Sequence, residues 1–185
     1  MNIKVLPKLH MKFIVLISLL FIEMASYGQM VEEFDYSKYP AKVSANTKKA
    51  ALKIKSNLIA KGHEKEIIEG YQKTEINYCG HYVVILWNCG EYCVNGAMVD
   101  TRTGVIYAVP INVKTSTNKC LTADDVFDRY LFLPNSRLLI TSICGESKNK
   151  TTNKLEQSQV FFVNLWDEKL KKFVLLKKKT KSRTI

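Results

Sequence analysis

The stretch His81-Tyr-Val-Val-Ile-Leu-Trp87, continued by Asn-Cys-Gly-Glu-Tyr-Cys93 and Val-Asn-Gly-Ala-Met-Val99, decides the fold. Its first segment is β-branched or aromatic at most positions and apolar at nearly all of them. A strand exposed on one face would alternate apolar and polar residues; this one reads as a strand covered on both faces. The second segment, residues 94–99, is a partner strand. Asp100-Thr-Arg-Thr-Gly104 then reads as a turn, with the Asp100 carboxylate accepting local backbone N–H groups and Gly104 free to take positive φ. Residues 105–109 form a third strand, stopped by Pro110, so the three make an antiparallel meander.

Working toward the C-terminus, Tyr130-Leu-Phe-Leu133, the turn Pro134-Asn-Ser136 and residues 137–143 predict a hairpin. Residues 160–166, the turn Asp167-Glu-Lys169 and residues 172–176 predict another. Between the two hairpins, residues 145–157 are polar throughout and read as a mobile loop. Residues 112–125 read as a polar loop, with one helical turn near Thr122–Phe127. Toward the N-terminus, Ala50, Leu52, Ile54, Leu58 and Ile59 form an imperfect helical stripe after a cap at Ser44 or Asn46, with Gly62 as the stop. Residues 64–71 suggest a second short helical turn. The expected fold class is therefore α+β, mainly β: a curled antiparallel β-meander of about seven strands, backed by a short N-terminal helix. Seven strands are fewer than two four-stranded blades, so the turn-like signals at Asp100 and Leu133 do not make a propeller.

Residues 1–28 carry the marks of an export signal. Lys4, Lys8 and Lys12 precede the charge-free run Phe13-Ile-Val-Leu-Ile-Ser-Leu-Leu-Phe-Ile22, and small residues lie at Ala25, Ser26 and Gly28. Met11 is an alternative start. Spanning a bilayer takes about 20 apolar residues, so the run is short for an anchor. The expected organisation is a signal peptide over 1–28, an exposed leader over 29–45, one β-rich domain over 46–176 and a basic tail over 177–185. The whole chain of 185 residues has 28 Lys and Arg against 17 Asp and Glu, a net charge of +11. Removing residues 1–28 takes away three Lys and one Glu and lowers this to +9. A hydrophobic content of 46% excludes a disordered chain.

All five Cys lie beyond the signal, in what would be an oxidising compartment. Cys89 and Cys93 bracket three residues of a hairpin loop. Opposed residues there stand roughly 4.5–5.5 Å apart at Cα, which a disulfide spans. Metal binding is the competing reading, and a Cys-x3-Cys pair without a second pair is a weak zinc signal. Cys120 and Cys144 are the next candidates, leaving Cys79 free, paired with a partner chain, or substituting for one of the others.

At Gly80-His-Tyr82, at Trp87-Asn-Cys-Gly-Glu-Tyr-Cys93, at Gly96-Ala97 and at Asp100-Thr-Arg-Thr-Gly104-Val-Ile-Tyr107, the chain resembles a group of small exported bacterial proteins. These share a G-H-Y strand, a W-x-C-G-x-x-C hairpin and a D-x-x-T-G turn. The resemblance covers about residues 75–145. It implies an exported β-rich domain with a hairpin disulfide and carries no mechanism. A small residue common in that group at the position of Cys79 implies that Cys79 is the odd thiol.

The chemistry that the residues exclude is broader than the chemistry they suggest. No G-x-S-x-G, H-E-x-x-H, P-loop or dinucleotide glycine pattern occurs. Asp124-Asp125 reads as a helix cap. Cys79 and His81 invite a nucleophile–base reading, but they are two residues apart on one strand and have no identifiable orienting Asn or Asp. His63 and His81 are the two His beyond the signal, too few for a multi-His metal site. Trp87, Asn88, Glu91 and Tyr92, with His81, are the candidate binding residues at the hairpin; the competing reading puts Trp87 in the core. Basic residues are spread over the chain without the aromatic interleaving of a nucleic-acid platform, except in the dense run Lys177-Lys-Lys-Thr-Lys-Ser-Arg183.

The sequence thus leans against an enzyme, with no cofactor and no metal. It describes an exported, periplasmic or extracellular, non-catalytic binding or interaction protein, with an inhibitor- or immunity-like role as the expectation. Its partner would be a protein or envelope component, acidic or neutral, and no specific nucleic acid. The alternatives are a cell-envelope enzyme using Cys79 and His81, and a structural envelope protein touching anionic surfaces weakly through the basic tail.

Overall fold

The computed structural model describes residues 34–45, 48–90, 93–111 and 130–184. The expected signal peptide, the helical turn near Thr122–Phe127, Glu91, Tyr92 and Cys120 lie outside the described residues. The chain divides into two compact units, Met1–Tyr36 and Ser37–Ile185, and the second is described below.

Among the described residues, seven antiparallel strands form two sheets, each in chain order. The first holds β1 (Tyr82–Gly90), β2 (Cys93–Asp100) and β3 (Ile106–Ala108). The second holds β4 (Tyr130–Phe132), β5 (Leu138–Lys148), β6 (Leu155–Asp167) and β7 (Lys172–Thr184). Among the described residues, a helix, α1 (Glu64–Lys73), and three 3-10 turns, Tyr36–Lys38, Ile54–Ser56 and Leu58–Ala60, precede the first sheet. The mainly-β expectation holds, with the strands divided between two sheets rather than strung along one meander.

The apolar run of β1 is explained by two cores. Val83, Ile85 and Trp87 face one way, with Ala97, Val99 and Ile106, onto Ala60, Ile67 and Tyr71 of the helical side. Tyr82 and Val84 face the other way, with Met98, onto Tyr78, Leu139 and Trp166. A strand between two cores has no solvent face, so its alternation disappears. Gly70 lets α1 approach closely: a Cβ there would stand 2.4 Å from Ile85 Cγ2.

Three expectations are corrected. Of the expected helix from Asn46 to Leu58, the described residues 48–58 do not form the backing helix; α1 does. Ala50 N–H donates to Thr101 O at 2.8 Å and Lys53 N–H to Gly104 O at 2.8 Å, so this backbone is spent on the D-x-x-T-G turn rather than on its own helical bonds. Its apolar residues still pack, with Leu52, Ile54 and Ile59 against the helical-side core. α1 is supported by Glu64 and Glu66 in its first turn and by Ile67 and Tyr71 on one buried face. Second, residues 145–157 are the ends of β5 and β6 around a turn, where Asn149 Oδ1 accepts from Thr151 N–H and Thr152 N–H at 2.9 Å each. The polar composition belongs to a ribbon that extends past the core. Third, residues 177–184 are not a tail but the second half of β7, paired with β6 from Val163↔Lys177 to Glu156↔Thr184.

Candidate functional site

The two ends of β1 carry different chemistry. At its start, Asp100 closes the β2–β3 turn: Oδ1 accepts from Arg102 N–H at 2.9 Å and Arg102 Nε at 3.0 Å, and Oδ2 from Arg102 Nη2 at 2.8 Å. Gly104 takes φ +72° in this turn. A Cβ on it would stand 1.9 Å from Ala51 O, so the residue must be glycine. From the β6–β7 turn, Glu168 reaches the same place. Its Oε1 accepts from Arg102 Nη2 at 2.9 Å and Lys171 Nζ at 2.6 Å. Its Oε2 accepts from Tyr82 OH at 2.8 Å and Trp166 Nε1 at 2.7 Å.

Burial works against the charged form of Glu168, but the hydrogen bonds from Lys171, Tyr82, Trp166 and Arg102 outweigh it and hold its carboxyl at about 2. Asp100 is lowered in the same way, burial being overcome by Arg102. His81 is the third member. Its ring lies 4.3 Å from that of Tyr82, and Nε2 stands 3.3 Å from Glu168 Oε1 and 4.0 Å from Asp100 Oδ2. Burial and the Arg102 charge lower its pKa, against the pull of the two carboxylates. Donor atoms of His81, Asp100 and Glu168 all lie within 4.8 Å of one another, a spacing that would suit a metal ion. The carboxylates, however, already bind Arg102 and Lys171. A cation would have to displace a forked guanidinium and an ammonium, so the cluster is built as a charge-balanced tie between the two turns.

Cys79 lies beside this cluster without joining it. It is 4% exposed, belongs to the core between the sheets, and is free. Burial first, and Glu168 second, push its thiol up to about 12. Among the described residues no hydrogen bond joins it to His81. A thiol in that state supplies almost no thiolate at neutral pH.

The other end of β1 is the disulfide hairpin. Cys89 and Cys93 are bonded, with Cα atoms 5.1 Å apart. Cys144 is disulfide-bonded as well; Cys120, its expected partner, lies outside the described residues. Asn88 is exposed. Trp87 is 5% exposed and packs its ring 4.9 Å from that of His63, so it is a core residue rather than a protruding anchor. His81 is at the opposite end of the strand from this hairpin and does not join its residues. Between α1 and the free edge of β1 runs an open groove of about 500 Å³, with Glu66 and Lys73 on the helix rim and Leu86, Trp87 and Phe132 along the strand side.

The edges of the three-stranded sheet are closed by side chains that imitate a neighbouring strand. On β3, Ile106 N–H donates to Ser56 Oγ at 2.9 Å, and Asn57 Nδ2 donates to Ile106 O at 3.4 Å. On β1, Tyr82 and Tyr78 exchange backbone bonds of 3.0 and 3.2 Å. Val84 N–H donates to Asn77 Oδ1 at 2.8 Å, and Asn77 Nδ2 donates to Val84 O at 2.9 Å. Glu168, Lys171 and Asn77 are site residues that sequence reasoning missed. Glu168 and Lys171 meet Tyr82 from 86 and 89 positions away, and Asn77 acts through a hairpin-like return to Val84 that its residue type does not announce.

Comparison of the chain with family models, curated proteins and solved structures returned no match. The reading of the site rests on its own chemistry.

Proposed function

We propose that this chain is an exported, non-catalytic binding protein of the periplasm or extracellular space, inhibitor- or immunity-like in character, that engages a protein or envelope component through the hairpin end of β1. The resemblance to small exported proteins with the W-x-C-G-x-x-C hairpin belongs to the same proposal. The observation that carries it is the groove beside the disulfide-closed hairpin, since a rigid surface loses little entropy on binding. The enzyme alternative is weakened by the buried, protonated Cys79 thiol and by carboxylates committed to Arg102 and Lys171. The test is capture of a partner from envelope extract by the mature protein, alongside thiol alkylation of the folded state. Specific capture abolished by Asn88→Arg, with Cys79 unreactive until unfolding, supports the proposal. Rapid alkylation of Cys79 coupled to a hydrolytic activity would sink it.

One observation favours a second reading. In the β6–β7 register Lys177, Lys179 and Lys181 pair with Val163, Phe161 and Gln159, so alternate lysines line one face of an exposed ribbon. Such a row suits an anionic surface. Co-sedimentation with phosphatidylglycerol vesicles, reduced when the three are changed to Gln, supports this reading; unchanged co-sedimentation removes it.

A further inference from the structure

The alternation of β1 fixes which of its backbone groups face away from β2. Val84, paired with Met98 across the sheet, sends both its N–H and its C=O outward to Asn77. In an antiparallel pair every second residue points the same way, so the N–H and C=O of Leu86 and of Asn88 also face outward. Gly96, opposite Leu86, agrees: its N–H is taken by Asn95 Oδ1 at 2.8 Å, on the side away from β1. Side-chain plugs thus close the edge of β1 at Val84 and the edge of β3 at Ile106. Among the described residues nothing closes β1 at Leu86 and Asn88.

This open segment runs along the groove. On one side stand Glu66 and Gly70 of α1, and on the other Phe132. Trp87 lines the wall, 5% exposed, and its indole N–H has no acceptor among the described residues. Glu69 is paired with Lys73 at 3.4 Å, whereas Glu66 has no ion-pair partner among the described residues. The rim is therefore locally acidic although the chain as a whole is basic. Screening over roughly 8 Å makes the local charge the one a bound group meets.

We infer that the open edge of β1 at Leu86–Asn88 binds an extended peptide from a partner protein as an added strand, with an apolar side chain toward Phe132 and a basic one toward Glu66. The inference rests on the binding reading above and names its partner class. Main-chain hydrogen bonds to Leu86 and Asn88 supply the ladder, Asn77 stops it at Val84, and the two sides of the groove select alternate side chains. The Cys89–Cys93 bridge holds the edge in its paired shape at the exposed hairpin end. A second copy of this chain is a poorer occupant, because edge-to-edge pairing sets the Glu66 rims against each other.

The experiment selects a displayed library of random unconstrained nonapeptides on the full mature protein. Enrichment of sequences that alternate apolar residues with Lys or Arg is expected. An enriched peptide, made synthetically, should shift the Leu86 and Asn88 amide resonances. Methylation of alternate peptide-backbone nitrogens should weaken it at least ten-fold, and so should Asn88→Pro, which removes an outward N–H and leaves the β1–β2 hydrogen bonds their donors. Glu66→Lys should select against the basic residue. The N-methyl peptide keeps the test independent of whether any variant folds. Enriched peptides that leave the Leu86 and Asn88 amides unmoved, or that bind equally well when N-methylated, overturn strand addition and leave the binding reading standing. No enrichment at all overturns both. A dimer with those amides protected in the absence of peptide overturns the choice of occupant.

Discussion

The three-stranded and four-stranded sheets meet the same hazard, a row of unpaired backbone groups at each edge, by different means. The smaller sheet is covered on both faces, and its edges are plugged by Ser56, Asn57 and Asn77, each aimed at one strand residue. The larger sheet ends in β7, whose outer half is exposed and carries Lys177, Lys178, Lys179 and Lys181. There, charge rather than hydrogen bonding discourages a neighbouring strand. A plug acts at one residue, so it leaves a definite gap where it ends, at Leu86. Charge acts along the whole strand, so β7 offers a cationic ribbon.

The most damaging way to break the comparison is to uncouple the sheets. Glu168→Ala leaves the Tyr82 hydroxyl and the Trp166 indole N–H, both on fully buried residues, without their acceptor. A loss of about 3 kcal/mol is expected, from about 1–3 kcal/mol for each buried group left unpaired. Urea unfolding checks it, and the midpoint should fall with little change in slope. The same tie sets the acid sensitivity. Glu168 is lowered on folding from 4.5 to about 2, so its contribution is complete above 4.5 and fades as pH falls toward 2. His81 is lowered from 6.5, so below 6.5 the unfolded chain binds the extra proton and stability also falls. Two acid steps are expected: His81→Gln should remove the upper, and Glu168→Gln should shrink the lower, to which Asp100 also contributes. An acid profile unaffected by His81→Gln would show that this imidazole does not titrate on folding.

The smaller sheet was the more legible of the two in the sequence, for a physical reason. A strand between two cores must be apolar throughout, and a turn closed by Asp100 and Gly104 needs those residue types. Both requirements act within a few residues. Residues 46–58 have an apolar stripe that suits a helix in the sequence, yet the backbone N–H groups of Ala50 and Lys53 are claimed by Thr101 and Gly104, about 50 positions on. The long ends of β5, β6 and β7 escaped notice because alternation reports a core, and beyond the core the ribbon is polar on both faces. Of the candidate site, the hairpin with its Cys89–Cys93 bridge and the placement of Asn88 were readable. Glu168 was not, since Tyr82 lies 86 positions away in the chain.

Removing a plug should widen the gap. Asn77→Ala frees the N–H and C=O of Val84, which border the groove and gain access to water. The expected cost is about 1 kcal/mol, the net value of a small number of hydrogen bonds exchanged for water. Faster amide exchange at Val84, with Val83 and Ile85 still protected by β2, checks it. If the plug is what limits strand addition, the variant should also bind a selected peptide with a longer footprint, reaching Val84.

Altering β7 should have the smallest effect on the fold. Changing Lys177, Lys179 and Lys181 together to Gln removes exposed charge and leaves the ladder to β6 intact, so stability should move by less than about 0.5 kcal/mol. Part of that change is lost packing, because the Lys181 ammonium sits 5.8 Å from the centre of the Phe161 ring. Solubility is the sharper readout. If charge is what protects this edge, the variant should self-associate at concentrations where the parent stays monomeric, and added salt should drive the parent the same way. The part of the β1 edge that Asn77 plugs, at Val84, should show no such salt dependence. Equal responses of the two edges to salt would mean that both are protected by charge, and the distinction between plug and ribbon would fail.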